Sequence, residues 1–148
     1  MRKFAILTAG IITASLLLAV PLSGCQGEVG FTTASLGDAT MCKSVDETTM
    51  KPIEATNVFT PDTPVICCSV KLSNAPDDTA VKAEWIYVAG EAEDMSNYLI
   101  DEVSLIAEGT SYLGFSLPRP DTGWPRGGYK VVLYVDGKEA KSVSFSVE

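Results

Sequence analysis

The sequence predicts an all-β protein, a sandwich of two sheets built from about seven short strands. Three observations lead there. From Met41 onward, apolar and polar residues alternate in run after run, which is the period of a strand with one buried face. Turn-forming Pro, Gly, Asn and Asp interrupt these runs about every ten residues. No long stretch beyond Pro21 has a helical period, and no internal repeat is present.

The strands follow in order. Residues 41–45 alternate loosely, and residues 50–60 form a second extended piece before the turn Pro61-Asp62-Thr63-Pro64. Residues 65–72 read as a clear strand, with Ile66, Cys68, Val70 and Leu72 on one face and Val65, Cys67, Ser69 and Lys71 on the other. A polar turn is expected at residues 74–78. Residues 80–88 follow, with Val81, Ala83, Trp85 and Tyr87 alternating with Lys82, Glu84, Ile86 and Val88, a pattern that allows the far half to be covered on both sides. An acidic loop covers residues 90–97. Residues 98–107 supply one or two short strands and residues 111–117 another. Residues 118–128 form a loop rich in Pro and Gly. Residues 129–135 are a strong strand with Tyr129, Val131, Leu133 and Val135 on one face. Asp136-Gly137 suits a two-residue type I′ hairpin turn. Residues 139–147 run back, with Val143, Phe145 and Val147 inward.

Two aromatic positions narrow the plan to an immunoglobulin-like sandwich. Trp85 lies in the third main strand and Tyr129 opens the penultimate one, where such a tyrosine bonds through its hydroxyl to backbone a few residues upstream. Val131 stands where an antibody domain carries its second cysteine, so the antibody inter-sheet disulfide is absent.

The first residues have a different character. Arg2 and Lys3 are followed by an uncharged run from Phe4 to Val20, then Pro21, Leu22, Ser23, Gly24 and Cys25. A positive start, an apolar core and a small-residue zone make a secretory signal. The run falls a little short of the roughly 20 apolar residues a membrane span needs, and it ends in Pro. Leu22-Ser23-Gly24-Cys25 resembles the lipobox of bacterial lipoproteins. That resemblance implies cleavage before Cys25, signal peptidase recognition of Leu22, Ser23 and Gly24, and a diacylglyceryl thioether on the Cys25 sulfur. Two acyl chains suffice for stable anchoring, at about 0.8 kcal/mol per buried methylene. Gln26 is not the Asp that retains such proteins in an inner membrane. The expected location is therefore extracytoplasmic, on the outer membrane of a two-membrane cell or the outer face of the cell membrane otherwise. The expected organisation is a cleaved signal at 1–24, a lipidated Cys25 with a flexible Gly-, Ser- and Thr-rich tether over 25–40, and a sandwich domain over 41–148.

Composition restricts function. The chain has 19 acidic and 11 basic residues, a formal net charge of −8, and losing Arg2 and Lys3 makes the remainder more acidic still. This argues against nucleic acid or anionic headgroups as partners. There is no histidine, so the commonest general base and metal ligand is missing. Ser and Thr are plentiful but lack an activating base, and no phosphate-binding glycine loop precedes a helix. No catalytic residue and no cofactor are expected. The carboxylates Glu91, Glu93, Asp94, Asp101 and Glu102 lack the spacing of a calcium loop and read as a solvated surface.

Past Cys25, three thiols are left. Cys42 and Cys67 fall on the less apolar faces of their strands, so a Cys42–Cys67 disulfide is the first pairing, with Cys68 a buried free thiol. The competing reading is a sulfur site for Cu(I) drawn from Cys42, Cys67, Cys68 and Met41 or Met50, within a metal- or redox-handling envelope protein. Adjacent strand residues point to opposite faces, which keeps Cys67 and Cys68 from sharing one ion. Trp124, with Arg119 and Arg126 beside it, is either an exposed partner contact or a ring folded back to cap the sandwich end.

The run Gly123-Trp124-Pro125-Arg126-Gly127-Gly128-Tyr129-Lys130-Val131, then Asp136-Gly137 and a close on Phe145-Ser146-Val147, resembles a group of uncharacterised bacterial and archaeal lipoproteins. Its motifs are structural, and the resemblance implies no activity. The expected protein is a non-catalytic binding or structural module. Acylated Cys25 holds it to membrane lipid, and loops 90–97 and 118–128 present it to an envelope protein or polysaccharide.

Overall fold

A computed structural model describes residues 32–148. Leu22, Ser23, Gly24 and Cys25 lie outside the described residues. Among the described residues seven strands are present: β1 (Ser35–Val45), β2 (Pro52–Ala55), β3 (Val58–Phe59), β4 (Val65–Gly90), β5 (Tyr98–Pro118), β6 (Gly127–Val135) and β7 (Lys138–Val147). They hydrogen-bond in the order β2-β1-β4-β6-β7-β3, with β5 on the other side of β4. Among the described residues there is no helix.

The fold turns on the length of β4 and β5. The first part of β4 pairs with β1 and with the end of β5, from Ser35↔Ser73 to Cys42↔Cys67 and from Leu72↔Ser111 to Val65↔Pro118. Its second part pairs with β6 and the start of β5, from Val81↔Val135 to Gly90↔Gly127. Between these parts the register shifts at Ala75 and Thr79. The sheet curls there, and its two halves face each other across one core, in the immunoglobulin-like arrangement expected. The polar turn predicted at residues 74–78 is thus a bend inside a strand. Asn74 and Asp78 take left-handed φ values of 54° and 60°, which their short polar side chains tolerate. Gly109 does the same on β5 at φ 72°.

Two other boundaries differ from the sequence expectation. β1 starts at Ser35, so residues 35–40, expected in the tether, are strand. Their propensity is low, but pairing with β4 supplies the hydrogen bonds. The extended piece at residues 50–60 is two short strands, of which β3 runs parallel to β7 with Phe59 opposite Val147. The Asp136-Gly137 turn has φ of 48° and 81°, as a type I′ hairpin requires.

Val81, Ala83, Trp85 and Tyr87 from β4 meet Tyr129, Val131 and Leu133 from β6 and Phe145 from β7. The rings are joined. Phe145 takes the edges of Phe59 and Trp85 and stacks on Tyr129 at 5.1 Å. Tyr129 in turn meets Tyr87 and Trp124 edge-on. Each such pair adds about 0.5–1.5 kcal/mol beyond burial. The Tyr129 hydroxyl donates to the Pro125 carbonyl, closing the corner that the sequence pattern implied.

Burial, then the nearby Tyr87 and Glu91, push the Tyr129 phenol well above its ordinary 10.0. A raised folded-state pKa means stability is intact below the unfolded value and is lost as pH climbs past it. Tyr129→Phe is therefore expected to lower stability at pH 7 by about 1–2 kcal/mol, since the Pro125 carbonyl loses its donor. Above about pH 10 the variant should lose further stability less steeply than the parent. Urea midpoints at pH 7 and 10.5 check both parts.

Candidate functional site

Three segments converge at one end of the sandwich. The turn at residues 61–63 receives the 119–126 loop: Trp124 N–H donates to the Pro61 carbonyl at 3.0 Å and Arg119 N–H to the Pro64 carbonyl at 2.9 Å. That loop meets residues 91–97 through a pair of bonds. Glu91 N–H donates to the Arg126 carbonyl at 2.9 Å, and Arg126 N–H donates to the Glu91 carboxylate at 3.2 Å. The backbones come this close because Gly90 and Gly127 face each other. A Cβ on Gly90 would lie 2.3 Å from the Arg126 carbonyl oxygen, and one on Gly127 2.4 Å from that of Ala89.

Between these segments opens a cavity of about 200 Å³. Tyr87, Ile100 and Tyr129 form its floor and Trp124, Met95 and Tyr98 its walls, with Pro120 and Pro125 beside them. A second hollow adjoins it over Glu91, Ala92 and the same Trp124. The polar atoms of the floor are spent inside the protein. Tyr87 hydroxyl donates to the Arg126 carbonyl at 3.2 Å and accepts from Ala92 N–H at 3.0 Å. Tyr129 bonds to Pro125, and Trp124 Nε1–H donates to the Thr63 carbonyl at 2.7 Å. The cavity thus presents ring carbon, while Tyr98 and Met95 are 50% and 40% exposed at its mouth.

Of the two readings of Trp124, the capping one describes its position. The ring is 3% exposed and folded over the sandwich end, so it is a wall of the cavity and not a projecting contact. Arg119 and Arg126 are exposed but do not line the cavity. Arg119 Nη1 donates to the Asp62 carbonyl at 3.2 Å. Met95 and Tyr98 were not singled out from sequence. The only signal was apolar side chains at the edge of an acidic loop.

The thiols form a separate cluster. Cys42 and Cys67 are cross-strand partners, hence on one face, and Met41 and Cys68 are partners on the core face. Beside the Cys42–Cys67 pair the β1–β2 turn folds back onto Ser69. Asp46 Oδ1 accepts from Thr48 and Thr49 N–H at 2.9 and 2.7 Å, and Ser69 Oγ donates to the Met50 carbonyl at 2.6 Å. All three thiols are buried and free in this structure. Burial, with the neighbouring thiols next, pushes Cys42 up to about 11 and Cys68 up to about 12, and burial raises Cys67. Such thiols are neutral at pH 7, whereas the thiolate is the nucleophile and the metal ligand. Among the described residues, no three Cys, Asp or Glu side chains converge as metal donors.

The sequence matches no family model and no curated protein. Solved structures resemble the fold. An immunoglobulin-like protein from Pseudomonas aeruginosa aligns at TM-score 0.50 and 11% identity over 78% of this chain and 96% of its own. A β-glucosidase from Listeria innocua aligns at TM-score 0.50 and 8% identity over 79% of this chain and 16% of its own. An alkylpurine DNA glycosylase from Pseudomonas fluorescens aligns at TM-score 0.49 and 16% identity over 79% of this chain and 31% of its own. The chain therefore spans under a third of the glycosylase and about a sixth of the glucosidase. At these identities the likeness is one of fold alone: an immunoglobulin-like β-sandwich.

Opposed residues in an antiparallel pair have Cα atoms about 4.5–5.5 Å apart, within the range a disulfide spans. Refolding of the protein in the presence of a small-molecule disulfide, when the thiols are still accessible, is expected to join Cys42 to Cys67, two thiols yielding two protons and two electrons to the reagent, and to leave Cys68 reduced. Alkylation and peptide mapping check this. A bond from Cys68 to either partner contradicts the placement of Cys68 in the core.

Proposed function

We propose that this chain is a lipid-anchored, extracytoplasmic protein whose immunoglobulin-like domain binds a partner at the cell envelope and catalyses no reaction. The run from Arg2 to Cys25 supports the anchor, because its charge, apolar length and small residues suit export and acylation. The observation that carries the binding role is the open aromatic cavity between loops 91–97 and 119–126. Cavities that are mostly apolar and partly open at loop ends are the default binding sites of a scaffold.

Chemistry supports the non-catalytic part. The chain has no histidine, and the buried thiols are held neutral by desolvation. The glucosidase and glycosylase likenesses cover a minor part of those longer chains, so their activities lend nothing to this one. Metal or redox handling by the thiols is the competing reading. It has the Cys42–Cys67 register in its favour and the burial of Cys68 on the other face against it. Nucleic acid is not a proposed partner, given the net charge of −8.

The anchor is tested by Cys25→Ser in cells fed an alkyne-bearing fatty acid. The expected result is an uncleaved or mislocalised precursor without label, beside a processed and labelled parent. Normal processing and labelling of the variant contradicts the reading.

A further inference from the structure

The identity of the partner can be narrowed from three features of the pocket end, on the premise that the pocket is the binding site. The first is size. The cavity of about 200 Å³ slightly exceeds the roughly 150 Å³ that admits a benzene molecule. It holds one aromatic or long aliphatic group and little else. The hydroxyls of Tyr87 and Tyr129 and the Trp124 indole N–H are committed to Arg126, Pro125 and Thr63, which leaves Tyr98 and Thr122 as the hydroxyl-bearing residues of the lining, so it offers a mostly apolar surface to a side chain and few partners to a sugar's hydroxyl groups.

The second feature is charge. Glu91, Glu93, Asp94 and Asp121 are exposed on the two loops that frame the mouth. Against them stand Arg126 and an Arg119 whose guanidinium is turned to the Asp62 carbonyl. An occupant with positive charge flanking its apolar group complements this rim.

The third is placement. The chain enters the domain at the end of the sandwich opposite the pocket. There Ser35 pairs with Ser73, Thr33 Oγ1 donates to the Asn74 carbonyl at 2.7 Å, and Asp136 N–H donates to the Ala80 carbonyl at 2.8 Å. The pocket lies at the other end of β4 and β6, beside Gly90 and Gly127. Over the length of β6 these ends are roughly 26 Å apart. A chain held from its N-terminal side has the pocket at the end of the domain farther from its point of attachment.

We infer that the pocket captures an aromatic or long aliphatic side chain carried on a basic segment of another envelope protein. Tyr98 and Met95 close on the inserted group while the acidic loops draw in the flanking lysines or arginines. Polysaccharide is the competing class.

The test is calorimetric titration of the full chain in phosphatidylcholine vesicles. The probes are acetylated, amidated pentapeptides with a central Phe between paired Lys, the same with central Ala, and the same with Glu for Lys. Binding of the Lys–Phe peptide is expected, at least tenfold tighter than either control. It should weaken several-fold between 20 and 500 mM salt, as the Debye length shrinks from about 20 to about 4 Å. Tyr98→Ala and Met95→Ala, both at exposed positions, should weaken it about tenfold with unchanged thermal stability. No binding of the Lys–Phe peptide at millimolar concentration, or equal binding of the Glu–Phe peptide, overturns the inference. So does saturable binding of a soluble β-glucan oligosaccharide with none of the peptides. The same titration on full-length Cys25→Ser, which can carry no lipid, separates the two readings: peptide binding there keeps the pocket assignment whatever the labelling of the parent shows about the anchor.

Discussion

Tyr129 is the contact on which the pocket end depends. Its ring stacks on Phe145 at 5.1 Å and receives the edges of Tyr87 and Trp124, so one residue joins the inner core to the outer wall. Its hydroxyl holds the Pro125 carbonyl. The 119–126 loop is therefore fixed by the core and not by its own sequence. A buried phenol without an acceptor costs about 1–3 kcal/mol, so the loop position and the ring position stabilise each other. The cavity is the space left between that ring and the exposed residues Met95 and Tyr98 at its mouth.

The rest of the molecule serves this geometry. β4 and β5 each run through both halves of the curled sheet, so bending at Ala75 and Thr79 sets how the halves face. The Gly90–Gly127 approach then brings the two loops together, and no side chain fits between them. Cys42 and Cys67 lie elsewhere, on the face of β1 and β4 away from the core cluster. Their burial ties β1, the first strand, to β4.

Much of this was legible in the residues. Period-two alternation located the cores of β4, β6 and β7, because each has one face in the core. Tyr129 and Asp136-Gly137 were legible because each needs a specific residue type at one place. The continuity of β4 through residues 74–78 was not, since the same Asn and Asp residues that make turns also tolerate a bend that keeps its hydrogen bonds to β5. The start of β1 at Ser35 was hidden by Ser, Gly, Asp and Thr, whose pairing is decided by the neighbouring strand. Both loops at this end were expected from composition. The cavity itself depends on where Trp124 folds and on the approach of residues 91–97, and neither follows from local sequence.

The central claim is that one tyrosine packs against the core and the pocket wall together. The most direct measurement is a nuclear Overhauser spectrum of the protein in solution. Cross-peaks from the Tyr129 ring to the rings of Tyr87, Trp124 and Phe145, with a slowly exchanging Trp124 indole proton, are the predicted result. A Trp124 ring with no contact to Tyr129 and a rapidly exchanging indole proton would contradict the account.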